Sequence, residues 1–225
     1  MSKRVQSQIN QVKSNNDRLK FSLLTISLII FCSFMIVIAT FTQLSFYHYT
    51  ITINALLHPI NFLTQHNSLI TLKYYEYIPQ IPVIIYIATL LGPKFGMISV
   101  LIYIILGLTF LPIFALGGGP GYLFQYNFGY ILAYLPAVFV VYKSLKNNYS
   151  YKNMAKASLW SVLTIHILGI FYILALFVVK RESFNYIINW VFIQSISKIL
   201  YDFIFSFLAI LMAKLTKKFL WITMG

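Results

Sequence analysis

The chain has 225 residues, of which 60% are hydrophobic, 18% aromatic and only 9% charged, and its mean hydropathy is +0.80. That balance excludes an ordinary soluble domain and identifies an integral membrane protein. A formal net charge of +13 would suggest nucleic acid in a soluble protein, but here the basic residues punctuate apolar stretches, so the excess reads as a topology signal and no nucleic-acid partner is expected.

A spanning helix needs about 20 mainly apolar residues. Six candidates follow in order, at 21–47, 77–92, 95–114, 125–142, 157–179 and 186–213. The expected fold class is therefore an all-α membrane protein with six transmembrane helices. Residues 1–20 form a polar, basic tail, and the apolar run behind it is too long for the core of a cleaved signal peptide, so the first span is expected to be retained. Cys32, inside that span, is the single cysteine, which leaves no disulfide framework and no cysteine metal site.

The segment 48–76 is the one long connection and reads as an insertion. Its stretch from Ile51 to Leu63 has no clean period, which leaves a short interfacial helix and a flap over a site both open. His48, His58 and His66 lack the i,i+4 spacing of a zinc site on a helix, and no metal or other cofactor is expected. Pro79 and Pro82 predict an irregular start to the second span, and Gly92-Pro93-Lys94-Phe95-Gly96 predicts a tight turn after it.

Gly117-Gly118-Gly119-Pro120-Gly121 predicts a flexible turn that no Gly-Lys-Ser/Thr follows, so it is not a nucleotide loop. Gly118 and Gly119 offer instead close backbone approach and bare N–H donors. Tyr122, Gln125, Asn127 and Tyr130 then gather polar tips where the fourth span begins. Singly they read as helix caps and interface anchors; together they resemble the mouth of a pocket. His166 lies mid-span beside Gly169, either as a satisfied interhelical bond or as a ligand-binding group.

Lys198 and Asp202 stand one helical turn apart inside the last apolar stretch. An ion at the centre of a spanning helix costs roughly 2.5 to 3.5 kcal/mol on insertion scales, so intramembrane charges face a bundle interior or a cavity. The pair reads as a polar site, or as a structural pair that neutralises itself.

Thirteen Lys and Arg residues fall on one side of this topology, against Lys73, Lys180 and Arg181 on the other. The positive-inside rule then places both termini in the cytoplasm of a multi-pass protein of the inner (cytoplasmic) membrane, in contact with anionic lipid. The expected organisation is a cytoplasmic tail over 1–20, one membrane domain over 21–215 with 48–76 as an extracytoplasmic insertion, and a second cytoplasmic tail over 216–225.

Four pieces in order resemble the BioY biotin transporter family: Ile78-Pro79-Gln80-Ile81-Pro82-Val83, Leu90-Leu91-Gly92-Pro93-Lys94-Phe95-Gly96, Leu101 to Gly107, and Leu111-Pro112-Ile113-Phe114. The glycine loop with Phe128-Gly129-Tyr130-Ile131-Leu132-Ala133, and His166 with Gly169 and Tyr172, continue the likeness. Two departures stand out. The family often carries a lysine three residues after its aspartate, where this chain has Phe205, with Lys198 preceding Asp202; and Tyr126-Asn127 replaces a Pro-Thr pair.

The resemblance implies a substrate-binding component of an energy-coupling factor importer. Such a protein takes biotin from outside and delivers it with a transmembrane coupling subunit and ATPase subunits on other chains. No enzymatic activity is implied. Biotin presents an apolar bicycle, a ureido group and a carboxylate. Trp190, Phe192, Tyr86 and Tyr122 are candidate aromatic walls, Asp202 or Asn127 would meet the ureido N–H groups, and Lys198 would neutralise the carboxylate. Tyr130, His166, Gln80, Gly118 and Gly119 complete the candidate site. The competing readings are the same architecture for another vitamin, a polytopic scaffold whose Lys198–Asp202 pair fixes helix register, and an intramembrane enzyme using Asp202 and His166 as acid and base.

Overall fold

A computed structural model describes residues 23–51, 60, 70–109, 111–181 and 183–224; the expected tail over 1–20, His58 and His66 lie outside them. The chain is mainly helical: α1 Leu23–Phe41, strands β1 Leu44–Ile51 and β2 Ile70–Tyr77, α2 Gln80–Leu108, α3 Phe128–Leu145, α4 Tyr151–Lys180, α5 Phe184–Val191 and α6 Ile199–Met224. Five helical stretches among the described residues are long and apolar enough to cross a membrane. One of them, α2, is bent back on itself.

That reversal is dictated at Gly92, whose φ of 73° and ψ of −173° leave the helical region just before Pro93. Glycine adopts this backbone without a Cβ penalty, and proline forbids the preceding residue from continuing the helix. The limbs 80–91 and 93–108 then pack side by side. A Cβ on Gly96 would stand 3.4 Å from the Ala88 Cα, and the Gln80 Nε2 donates to the Tyr103 hydroxyl at 2.7 Å. In one straight helix residues 23 apart would lie roughly 35 Å from each other.

The first span ends earlier than expected. Helix α1 stops at Phe41 rather than running to 47, and the chain leaves as a strand. The reason lies in the run Phe46-Tyr47-His48-Tyr49-Thr50-Ile51, whose aromatic and β-branched residues favour an extended backbone. Strand β2 pairs with it antiparallel, from Leu44 opposite Tyr77 to Ile51 opposite Ile70. The two ends of the 48–76 segment thus pair as a two-stranded antiparallel ribbon, while the stretch from Ile51 to Leu63, read as a short interfacial helix or a flap, lies outside the described residues apart from Ile51 and Ile60.

Small residues set the helix contacts, as packing between apolar helices in lipid requires. The Ser33 hydroxyl on α1 donates to the Ser99 carbonyl at 3.0 Å and the Ser99 hydroxyl to the Ile29 carbonyl at 3.3 Å, which binds α1 to the second limb of α2. Between α3 and α4 the exchange is reciprocal. Gly129 lies under Tyr172 of the facing helix, and Gly169 lies under Tyr130. Helix α4 starts on the Ser150 hydroxyl, which accepts from the Asn153 N–H at 3.3 Å, and ends at Arg181 with a left-handed φ of 54°.

Between α5 and α6 the chain takes one wide π-turn, Phe192–Ile196, before the helix resumes. Such turns insert an extra residue and re-aim side chains, often at functional sites.

The candidate polar chamber

At the end of the bundle where α1 stops and α3 begins, a polar layer ties the helices together. Gln80, at the first position of α2, is its hub. Its Nε2 donates to the Thr40 hydroxyl at 2.9 Å and the Tyr103 hydroxyl at 2.7 Å, and its Oε1 accepts from the Tyr134 hydroxyl at 2.8 Å. One carboxamide thereby fixes α1, both limbs of α2, and α3.

A second chain of hydrogen bonds runs through the later helices to Asp202, which is 1% exposed. Its Oδ1 accepts from the Tyr77 hydroxyl at 2.6 Å, and its Oδ2 lies 3.0 Å from the His166 Nε2. The other ring nitrogen of His166 is 3.0 Å from the Ser195 Oγ, itself 2.6 Å from the Tyr130 hydroxyl. With the Nε2–H tautomer, Tyr130 donates to Ser195, Ser195 to His166 and His166 to Asp202, so every member is satisfied. A buried carboxylate needs such donors, because an unpaired charge in low dielectric is far costlier than a paired one.

Ser195, His166 and Asp202 are residue types that hydrolases combine, but here the Ser195 hydroxyl is turned into the helix interface, 3% exposed and held by Tyr130. It does not line the chamber.

The chamber opens to solvent, and the empty space in and over it amounts to about 630 Å3. Its polar wall is made by Gln80, Tyr122, Asn127, Tyr130, Lys198 and Asp202, all expected from the sequence, together with Tyr134 and Gln194, which were not. Ile78, Ile81, Ala115 and Ile131 make the apolar wall.

Lys198 and Asp202 do not bond to each other. The Lys198 ammonium donates to the Gln194 Oε1 at 2.8 Å, while His166 supplies the contact to Asp202 that meets an ion-pair distance. The self-neutralising pair at i,i+4 is therefore corrected: the carboxylate is claimed by Tyr77 and His166 from other elements, leaving the ammonium held by a neutral carboxamide at the chamber wall.

Two wall groups have unmet polar atoms. The Tyr122 hydroxyl and the Asn127 Oδ1 are buried with no partner in hydrogen-bonding geometry among the described residues, although the Asn127 side chain and the Leu116 backbone both lie near the hydroxyl. Buried polar atoms are normally bonded, so such a pair facing a cavity marks a place where a guest can supply the missing partner.

The remaining candidates lie off the wall. His166 sits behind Tyr130 and Asp202, where both ring nitrogens are already engaged. Tyr86 points toward the opposite end of the bundle and donates to Thr216 at 3.0 Å. Gly118 packs against the Leu111 carbonyl, and the Gly119 N–H is spent on the Gly107 carbonyl at 2.7 Å, so the glycine loop closes on its own backbone. Trp190 stacks on Tyr126 at 5.4 Å between ring centroids, and neither Trp190 nor Phe192 lines the chamber.

Sequence reasoning had signals for some of what it omitted. Tyr134 stands four residues after Tyr130, and Gln194 four before Lys198, each on one helical face with an expected residue. Tyr77 and Ser195 had none, since their roles depend on a hairpin and a π-turn.

The BioY family model matches residues 12–221. Among solved structures, the chain is similar to a crystal structure of the S-component for biotin from an ECF-type ABC transporter, with 21% identity, a TM-score of 0.61, and coverage of 87% of this chain and 92% of that one. That likeness is one of fold. No curated protein matches.

Proposed function

This chain belongs to the BioY family, and on that premise we propose that it is a substrate-binding component that captures biotin in the polar chamber for uptake. It is a multi-pass membrane protein, and the reading extends to six spans, counting both limbs of α2, with cytoplasmic termini in the inner membrane. Residues 21–215 are read as one membrane domain between tails over 1–20 and 216–225. A transmembrane coupling subunit and ATPase subunits on other chains would supply the energy, by analogy with the ECF-type ABC transporter from which the similar S-component comes.

The single observation carrying this reading is that the chamber combines an apolar wall, a bonded carboxylate, an ammonium with no carboxylate contact among the described residues, and two buried polar atoms with no partner among them. Those are the complements of biotin. The bicycle would lie against Ile78, Ile81 and Ile131. The ureido group both donates and accepts, so it would meet Asn127 and Tyr122 or the remaining lone pairs of Asp202. Lys198, tethered by Gln194 rather than neutralised, would meet the carboxylate as a point charge.

Equilibrium binding of radiolabelled biotin to the purified full chain in detergent tests this. Asp202→Ala is expected to weaken binding at least thirtyfold, roughly the cost of truncating a buried charged partner. Lys198→Gln is expected to weaken binding of biotin but to spare biotin amide. Undiminished biotin affinity in Asp202→Ala, or stronger competition by thiamine than by biotin, would defeat the proposal.

A further inference from the structure

The opposite end of the bundle holds a second cavity, of about 470 Å3 of empty space, between the reversal of α2, the end of α3 and the tail of α6. Gly92, Pro93, Val141 and Leu145 line it together with Tyr149 and two lysines, Lys146 and Lys217. No acidic side chain is among the lining residues. Tyr149 gathers two lysines: the Lys217 ammonium donates to its hydroxyl at 3.0 Å and the Lys214 ammonium to its carbonyl at 3.2 Å. Each ammonium carries three N–H donors, so both keep donors free. Lys146 is exposed beside them.

We propose that this basic cavity binds the phosphate of an anionic phospholipid, with Lys146 and Lys217 as its charge partners. A phosphate anion complements several converging ammonium groups without a counter-carboxylate, and the position matches the membrane face that basic residues mark. A lipid is favoured over a free phosphate by what adjoins the cavity. From Tyr142, a lining residue, an exposed apolar strip descends helix α3 through Phe139, whose ring centroid is 6.4 Å away, to Leu132. Headgroup and acyl chain would thus have contiguous partners, a polar notch above and an apolar lane below.

The test uses the purified full chain in a zwitterionic detergent, with native mass spectrometry counting retained lipids after addition of phosphatidylglycerol or phosphatidylcholine. Wild type is expected to hold one phosphatidylglycerol in preference to phosphatidylcholine. Lys146→Gln with Lys217→Gln should reduce that retention roughly thirtyfold, from the attraction lost with two lysines near an anionic headgroup. Lys146→Gln alone, at an exposed side chain, should still lower it severalfold, and Lys143→Gln with Lys156→Gln should leave it intact.

Equal retention of the two lipids overturns the proposal. So does unchanged phosphatidylglycerol retention in both Lys146 variants, or displacement of the lipid by equimolar inorganic phosphate, which would mark a free-anion site. Biotin binding at the far end is expected to be unaffected by these substitutions, so the outcome is independent of the chamber's proposed ligand.

Discussion

At the scale of single residues, the chamber separates groups that are already satisfied from groups that are waiting. Asp202 belongs to the first kind, with both carboxylate oxygens bonded. Tyr77→Phe would leave one of those oxygens without its donor, and a loss of about 1 to 3 kcal/mol in stability is expected, read as a lowered midpoint in thermal denaturation of the detergent-solubilised protein. Tyr122 and Asn127 belong to the second kind, because their buried polar atoms have no partner among the described residues. Tyr122→Phe and Asn127→Ala should therefore leave the ligand-free protein as stable as wild type, while reducing the thermal stabilisation that saturating biotin confers. Equal destabilisation with and without biotin would mean that these groups serve only the fold.

At the scale of elements, shape is set by close approaches rather than by helix propensity. Helices α3 and α4 each offer a glycine to a tyrosine of the other, Gly129 to Tyr172 and Gly169 to Tyr130. The second contact matters to the chamber, since the Tyr130 hydroxyl both lines it and bonds to Ser195. Gly169→Ala would drive a methyl into the Tyr130 ring. Overpacking of this kind costs typically about 1 to 3 kcal/mol, and biotin affinity is expected to fall with it, although residue 169 does not itself line the chamber. Preserved affinity in a destabilised Gly169→Ala variant would separate the helix contact from the site. The hairpin is tied to the same place through one residue: Tyr77 ends β2 fully buried, its ring 5.1 Å from Phe205 and its hydroxyl on Asp202. A two-stranded ribbon is marginal alone, so this anchor fixes how the hairpin meets the helices.

At the scale of the whole molecule, the two ends of the bundle are chemically distinct. The chamber with Asp202 occupies one end; the turn at Gly92, the connection around Tyr149 and the lysines of α6 share the other. Cys32 is 0% exposed, so a thiol-reactive maleimide should not label the folded native protein. On a cysteine-free background, Lys146→Cys should react only from the cytoplasmic side and Tyr74→Cys only from outside; labelling of both from one side would refute the proposed orientation. Membrane class, the approximate spans, and most of the chamber wall were legible in the sequence, because apolar runs have a length the bilayer dictates and because buried polar residues are scarce enough to stand out. Tyr122, Asn127, Tyr130, Lys198 and Asp202 stood out in that way, Gln80 came with the family resemblance, and all six line the same chamber. Only the tertiary structure decided who bonds to whom. Lys198 and Asp202, neighbours in sequence, part company because Tyr77 and His166 reach the carboxylate first, and those two arrive from 125 and 36 residues away. A sequence displays which groups cannot face lipid, but partners are chosen by distance, and distance is fixed only when a hairpin, a π-turn and four helices have packed.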